Sequence, residues 1–187
     1  MFILILGPPG SGKGTQGQML VQRLGVPKIA TGDILREAVR TGSRLGREAR
    51  RYMDTGALVP DNIILDLIKA ELGKPGALEG AVLDGFPRTQ AQAELVDKVL
   101  GERGARLNHV LLLDVAEEEL VRRLHGRAGI EGRSDDTPAA ITARLRTYQR
   151  ETAPLVAHYA QRGVVHRVPG AGSVEEIAEE IRRLIGR

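Results

Sequence analysis

The 187-residue chain contains no cysteine and no tryptophan, and aromatic residues make up only 3% of it. Without cysteine, disulfides and thiolate metal sites are excluded. With so few aromatics, platforms on which single-stranded bases could stack are scarce. No dense Lys/Arg tract appears either, so nucleic acid is not an expected partner. No apolar run reaches the roughly 20 residues that a membrane helix needs, so no membrane association is expected. The apolar start has no charged leader and only five apolar residues between Met1 and Gly7, which does not fit a signal peptide. The expected location is the cytoplasm. Only two asparagines, Asn62 and Asn108, are present.

What is there is largely charge and glycine. Of the 27 basic residues 22 are arginine, and the net charge is +3. Arginine suits planar, bidentate recognition of phosphate. The length predicts one domain, with room for small inserts.

Gly7-Pro8-Pro9-Gly10-Ser11-Gly12-Lys13-Gly14-Thr15 reads as a phosphate-binding loop. Phe2-Ile3-Leu4-Ile5-Leu6 before it has the pattern of a buried strand, and residues 15–24 after it have helical spacing. Strand, glycine loop and helix are the context this motif needs. Glycines let backbone N–H groups turn toward phosphate oxygens. The helix offers its positive end to the same anion, and Lys13 adds a cation. Gly14 separates Lys13 from Thr15, so the hydroxyl that ordinarily touches Mg²⁺ comes one place late.

Strand and helix patterns alternate, which predicts an α/β fold with a parallel sheet. Strands are expected near 2–6, 28–30, 81–84, 109–114 and 164–168. Helices are expected near 13–24, 31–41, 43–53, 61–72, 88–103, 117–125, 138–161 and 174–185. Ser173-Val174-Glu175-Glu176 has the form of a capping box. Thr137-Pro138 reads as a cap followed by proline at the first helical position. About fifty residues between the second and third strands carry helices and no strand signal, which predicts a small helical insert. Residues 126–136 read as a short polar loop, either a connector or a functional cover.

Ala81-Val82-Leu83-Asp84 is an apolar run ending in a carboxylate. In an open parallel sheet ligands bind beyond the carboxyl ends of the strands. Asp84 is therefore expected beside the phosphate loop, orienting Mg²⁺ or its waters, or else forming a turn with Gly85. Arg88 follows at the same edge, where it could meet a second phosphate. Thr31-Gly32-Asp33-Ile34-Leu35-Arg36 reads as a capped helix whose Arg36 the cap does not explain. Arg123, Arg127, Arg133 and Arg144 gather around the polar loop, with Asp135 and Asp136 as pairing candidates. Histidines 109, 125, 158 and 166 show no ligand spacing, and no Ser/His/Asp or Cys/His nucleophile pattern is present.

Five segments in order resemble the adenylate kinase family of nucleoside monophosphate kinases: the loop at 7–15; Thr31-Gly32-Asp33 with Arg36; Gly56-Ala57-Leu58-Val59-Pro60; Asp84-Gly85-Phe86-Pro87-Arg88-Thr89 with Gln92; and Gly132-Arg133-Ser134-Asp135-Asp136. The resemblance spans nearly the whole chain. It implies a P-loop three-layer sandwich with a central five-stranded parallel sheet, a helical monophosphate-binding insert at about 30–59 and a short lid at 126–136. It implies that Gly10, Ser11, Gly12, Lys13, Gly14 and Thr15 hold ATP phosphates. Arg123 and Arg127 would meet ATP from the cover, and Gly172 would offer the ATP adenine a backbone contact. Thr31, Arg36, Ala57, Leu58, Val59, Gly85, Phe86, Pro87, Arg88 and Gln92 would form the AMP site, with Gln92 reading adenine. Arg133 and Arg144 would reach the transferred phosphate and AMP. Longer lids in the family can carry a cysteine-based zinc site, which this chain lacks the residues for.

The implied reaction is direct phosphoryl transfer, MgATP plus AMP giving two ADP. The attacking phosphate has a second pKa of about 6 and is largely dianionic at neutral pH. No protein base is then needed. The task reduces to aligning two anions and neutralising charge, for which Lys13, Mg²⁺, Arg36, Arg88, Arg123, Arg133 and Arg144 are the expected means. A pyrimidine or guanine monophosphate kinase, a P-loop hydrolase or switch, and a nucleic-acid binder are the alternatives. No long apolar seam is evident, so a monomer is expected.

Overall fold

A computed structural model describes residues 1–131 and 137–186, with backbone alone for 127–131. Among the described residues five strands form one sheet: β1 (Phe2–Leu6), β2 (Lys28–Ala30), β3 (Ala81–Asp84), β4 (Leu107–Asp114) and β5 (Val165–Pro169). All pairings are parallel and the order is β2-β3-β1-β4-β5. The helices are α1 (Lys13–Leu24), α2 (Thr31–Arg40), α3 (Arg44–Thr55), α4 (Asp61–Leu72), α5 (Gln90–Gly101), α6 (Glu117–Glu131), α7 (Pro138–Thr147), α8 (Leu155–Ala160) and α9 (Val174–Ile185).

Every residue of β1 is buried, because both faces of the sheet are covered, the rule for parallel sheets. Ile3 and Ile5 pack with Val82, Leu111 and Leu113 under α1 and α9, through Leu20, Ile177 and Ile181. Phe2, Leu4 and Leu6 point the other way, onto Ile64, Ile68, Ala93, Val96, Leu155 and Tyr159 of α4, α5 and α8. The period-2 alternation of side chains thus splits one apolar run between two cores. Each fully buried Leu or Ile contributes about 1.5–3 kcal/mol.

Helices α2, α3 and α4 lie between β2 and β3 in sequence, where the helical insert is expected. Helices α2 and α3 meet closely: a Cβ at Gly46 would stand 2.0 Å from the Ala38 carbonyl oxygen. Both expected caps form. Ser173 and Glu176 make a reciprocal capping box on α9, and Thr137 accepts from the Ala140 N–H ahead of Pro138.

Three expectations are corrected. Helix α5 starts at Gln90 instead of 88, because Thr89 is its cap and accepts from Gln92 N. Arg88 is left in the loop. Helix α6 continues to Glu131, so the first part of the expected polar loop is helical. Gly126 and Gly129 each cost a helix only about 1 kcal/mol, and Ala128, Ile130 and Glu131 do not oppose it. The long helix expected at 138–161 is broken. Pro154 has no N–H to continue the α-helical ladder, although Ala153 before it keeps right-handed helical dihedrals. The chain answers with a π turn at Tyr148–Thr152, where Ala153 N reaches Tyr148 O at 2.8 Å, before α8 begins. No helix among the described residues is long and apolar enough to cross a membrane.

Candidate active site

The chain leaves β1 through a loop whose glycines take φ values of 150° at Gly7, 85° at Gly10 and 93° at Gly12. A Cβ at Gly10 would lie 2.9 Å from Leu124 Cγ and 3.0 Å from the Leu120 carbonyl oxygen. Only glycine combines that left-handed backbone with so close an approach to α6. Lys13 Nζ donates to the carbonyls of Gly7 and Pro8, both at 2.8 Å, and so crosses its own loop. Gly12 gives α1 no side-chain cap, which leaves the first N–H groups of that helix available to an anion. Ser11, 1% exposed, keeps its Oγ without a hydrogen-bond partner.

Strand β3 lies directly beside β1, with Asp84 paired to Ile5 on one side and to Ala30 on the other. The connections from β1 and β3 run to opposite halves of the sheet, so the two strand ends form a topological switch point. Asp84 Oδ2 comes within 3.7 Å of where a Cβ would sit on Gly14, in the first turn of α1. The Phe86–Pro87 peptide bond is cis. Arg88 Nε donates to Gly85 O at 2.8 Å, and Thr31 Oγ1 donates to the same carbonyl at 2.8 Å. Burial pushes the Arg88 guanidinium down. The Asp84 charge opposes that, while the Arg144 and Arg36 charges add to it. Three guanidinium groups and one carboxylate therefore line the same cleft within reach of one another's charge, a setting that favours an anion.

The neighbouring wall is built by the insert and α5. Val59 is buried, Leu58 half-buried and Ala57 exposed. Gln92, 2% exposed, accepts from Arg88 N at 2.8 Å and donates to Asp61 Oδ1 at 2.6 Å. Arg36 donates to Asp33, whose other oxygen lies 3.3 Å from Lys28 Nζ. Burial works to raise the Asp33 carboxyl, but Arg36 and then Lys28 outweigh it and hold it low.

On the opposite side Arg123 donates to Glu119 at 2.6 Å and to Gly170 O at 2.9 Å. The hydrogen bonds from Arg122 and Arg123 pull the Glu119 carboxyl down to about 2. Arg144 donates to Met53 O at 3.4 Å, linking α7 to α3. Gly172 is exposed, and a Cβ there would lie 2.9 Å from Glu176 Oε2. Arg133 lies outside the described residues, and of Arg127 only the backbone in α6 is described.

These elements surround one cleft of about 1110 Å³. Pockets for a single drug-sized ligand run to roughly 300–1,000 Å³, and this cleft stands just above that range. The cleft brings together Gly10 to Thr15, Thr31, Arg36, Ala57 to Val59, Asp84 to Arg88, Gln92, Arg123, Arg144 and Gly172. Three contributors escaped the sequence reading. Asp61 holds Gln92 and also accepts from Thr89; in sequence it is only an acidic helix start. Thr152 donates to Arg88 O at 3.0 Å, across a separation no local pattern reveals. Glu119 holds Arg123 at the i,i+4 spacing, which was readable. Among the described residues no group of three or more His, Cys, Asp or Glu is placed to hold a metal ion.

The family model described as "Adenylate kinase" matches residues 5–164, from within β1 to the edge of β5. The chain belongs to the adenylate kinase family. Among curated relatives, the adenylate kinase of Thermus thermophilus is 50% identical over 184 residues, 98% of this chain and 96% of its own. That of Xanthomonas euvesicatoria is 47% identical over 187 residues, covering both chains fully. That of Methanothrix thermoacetophila is 42% identical over 213 aligned positions, 100% of this chain and 99% of its own. In this adenylate kinase family member the cleft has a glycine loop at the end of one strand and arginines at the end of the next.

Proposed function

We propose that the cleft seats two nucleotides end to end, with the donor triphosphate on the loop after β1 and the acceptor monophosphate against the wall built by α2, α3 and Arg88. The activity is that of an adenylate kinase, ATP + AMP = 2 ADP. The observation that carries the assignment of roles is the meeting of Arg36, Arg88 and Arg144 beside Asp84, opposite the Lys13 loop. A hydrolase needs one anion site; two facing sites call for an acceptor nucleotide.

In this reading Gly10 to Thr15 bind the ATP phosphates through backbone N–H groups, and Lys13 leaves the carbonyls of Gly7 and Pro8 for them. Arg123 and Arg127 meet ATP from α6, and Gly172 meets its base. Thr31, Arg36, Ala57, Leu58, Val59, Gly85, Phe86, Pro87 and Gln92 take AMP. Arg88, Arg133 and Arg144 reach the phosphate in flight, with Lys13 and Arg123 completing the positive ring. Alignment and charge neutralisation supply the rate. Residues 30–59 act as the monophosphate lobe and 126–136 as the lid, and their closure excludes water, the competing acceptor. The protein works as a monomer in the cytoplasm, on small nucleotides and not on nucleic acid or membranes.

Mg²⁺ fits the donor set. One hard carboxylate, Asp84, lies against the first turn of α1, and this ion is usually held by one or two carboxylates with phosphates and waters. Asp84 would hold it through water, and bound there it would offset charge on the ATP phosphates.

A coupled assay of ADP production, with ATP and each monophosphate in turn, tests the reading. AMP is expected to outpace UMP, CMP and GMP. A pyrimidine acceptor that outpaced AMP would overturn the acceptor assignment, and phosphate release without any acceptor at the full rate would overturn the two-nucleotide cleft.

A further inference from the structure

Gln92 is one of few buried polar side chains, and it sits on a cleft wall otherwise formed by Leu35, Val59, Ile64 and Phe86. A side-chain amide can face either way round, since its oxygen and nitrogen are nearly the same size. Here its two neighbours leave no choice. Arg88 N–H can only donate, and it meets Oε1 at 2.8 Å. The Asp61 carboxylate can only accept, and it meets Nε2 at 2.6 Å. Turning the amide over would set oxygen against carboxylate and N–H against N–H, losing two hydrogen bonds and gaining two repulsions.

Asp61 is itself fixed. Thr89 Oγ1 lies 3.2 and 3.1 Å from its two oxygens, and the same hydroxyl oxygen accepts from Gln92 N at 3.3 Å. Asp61 opens α4 while Gln92 and Thr89 belong to the start of α5, so the ring of contacts joins two elements. An amide has two N–H groups and two oxygen lone-pair sites. Half of that capacity is used inside the ring. One donor and one acceptor remain, in a fixed order.

We propose that Asp61 is a positioning residue for acceptor specificity: it locks the Gln92 amide in the orientation that reads the amino-purine edge and rejects the oxo-purine edge of the same size. The role rests on the acceptor base entering this pocket, as proposed above. Adenine offers a donor at its 6-amino group and an acceptor at N1. Hypoxanthine has the same ring but carries an acceptor at O6 and a donor at N1. A freely turning amide would serve both. A locked one serves adenine and leaves its own groups unpaired against hypoxanthine, the situation in which discrimination becomes large.

The test measures kcat/KM for AMP and for inosine monophosphate, with ATP as donor, in the unaltered protein and in Asp61→Asn. The unaltered protein is expected to prefer AMP by about 100-fold or more. Asparagine both donates and accepts, so one of the two constraints is lifted: turning Gln92 over then loses only its hydrogen bond from Arg88 N. The preference is expected to fall at least about tenfold, partly through a rise in kcat/KM for the inosine nucleotide. A purely structural role would lower both values together and leave the ratio unmoved, which would overturn the assignment. So would an unaltered protein that accepts both purines alike. A pyrimidine preference in the unaltered protein would instead overturn the acceptor reading itself. If Asp61→Asn does not fold, Thr89→Ala decides in its place: it removes the hydroxyl that fixes Asp61, the preference for AMP over the inosine nucleotide is expected to fall, and an unmoved ratio would overturn the lock.

Discussion

Thr152 donates its hydroxyl proton to the Arg88 carbonyl at 3.0 Å, so the π turn after α7 holds the backbone of a cleft arginine. Thr152→Val keeps the shape and removes the donor. It is expected to cost about 1–3 kcal/mol of stability, because a carbonyl is left unpaired. Turnover is expected to fall about tenfold through misplacement of Arg88. Thr152→Ser should restore both. Urea unfolding with steady-state kinetics on the three proteins checks this; unchanged kinetics in the valine variant would remove the positioning role.

Arg88→Ala is expected to lower kcat by about 10³-fold or more, the scale at which an arginine on transferring phosphate acts. The fold should survive, since the side chain's own hydrogen bond reaches only Gly85 O. Circular dichroism and turnover measured together are the check. Near-normal turnover in a folded variant would refute the role.

Glu119 engages Arg123, and in the reading proposed above Arg123 lets go of it to meet ATP. Glu119→Gln weakens that pair, and KM for ATP is expected to drop roughly two- to five-fold with KM for AMP unchanged. Separate titrations of the two substrates distinguish this from a general effect.

Gly46→Ala drives a methyl group into the Ala38 carbonyl. It is expected to cost about 1–3 kcal/mol and to prise α3 from α2. KM for AMP should rise while ATP binding to the loop after β1 is kept. Calorimetric titration with each nucleotide, beside a thermal melt, checks both parts.

His109 and His166 face each other across β4 and β5 at 3.1 Å. Burial, with the His166 charge, lowers the His109 pKa below 6.5. A histidine lowered in the folded state takes up its proton more readily when unfolded. Its contribution to stability is intact above about pH 7 and is lost as pH falls through roughly 6.5, levelling off below the folded pKa. His109→Asn should therefore flatten the stability profile between about pH 7.5 and 5.5. Urea midpoints across that range measure it, and an unchanged slope would exclude the pair as its source.

The sheet was legible because parallel strands buried on both faces are short apolar runs, and Phe2-Ile3-Leu4-Ile5-Leu6 can hardly be anything else. The phosphate loop was legible because its glycines are required by backbone geometry. The end of α6 was harder: Gly126 and Gly129 read as breakers, yet each costs a helix only about 1 kcal/mol. The π turn was hidden as well. Pro154 signals a break somewhere, but whether the chain stops or slips by one residue depends on what Thr152 and Leu155 meet in the folded state. Asp61 shows the limit most clearly. Its partners, Thr89 and Gln92, are distant in sequence, and nothing local separates it from any acidic residue at a helix start.

Among the described residues, cations lining the cleft already have carboxylates: Asp33 for Arg36 and Lys28, and Glu119 for Arg123 and Arg122. The resting field that a passing ion feels there is muted. Inorganic phosphate, meeting one such group at a time, gains little by breaking a pair that is already made. A long polyanion that meets several at once offsets every broken pair together. The same partners that delay each of these arginines thus weaken the pull of the cleft on an anion that meets them one at a time.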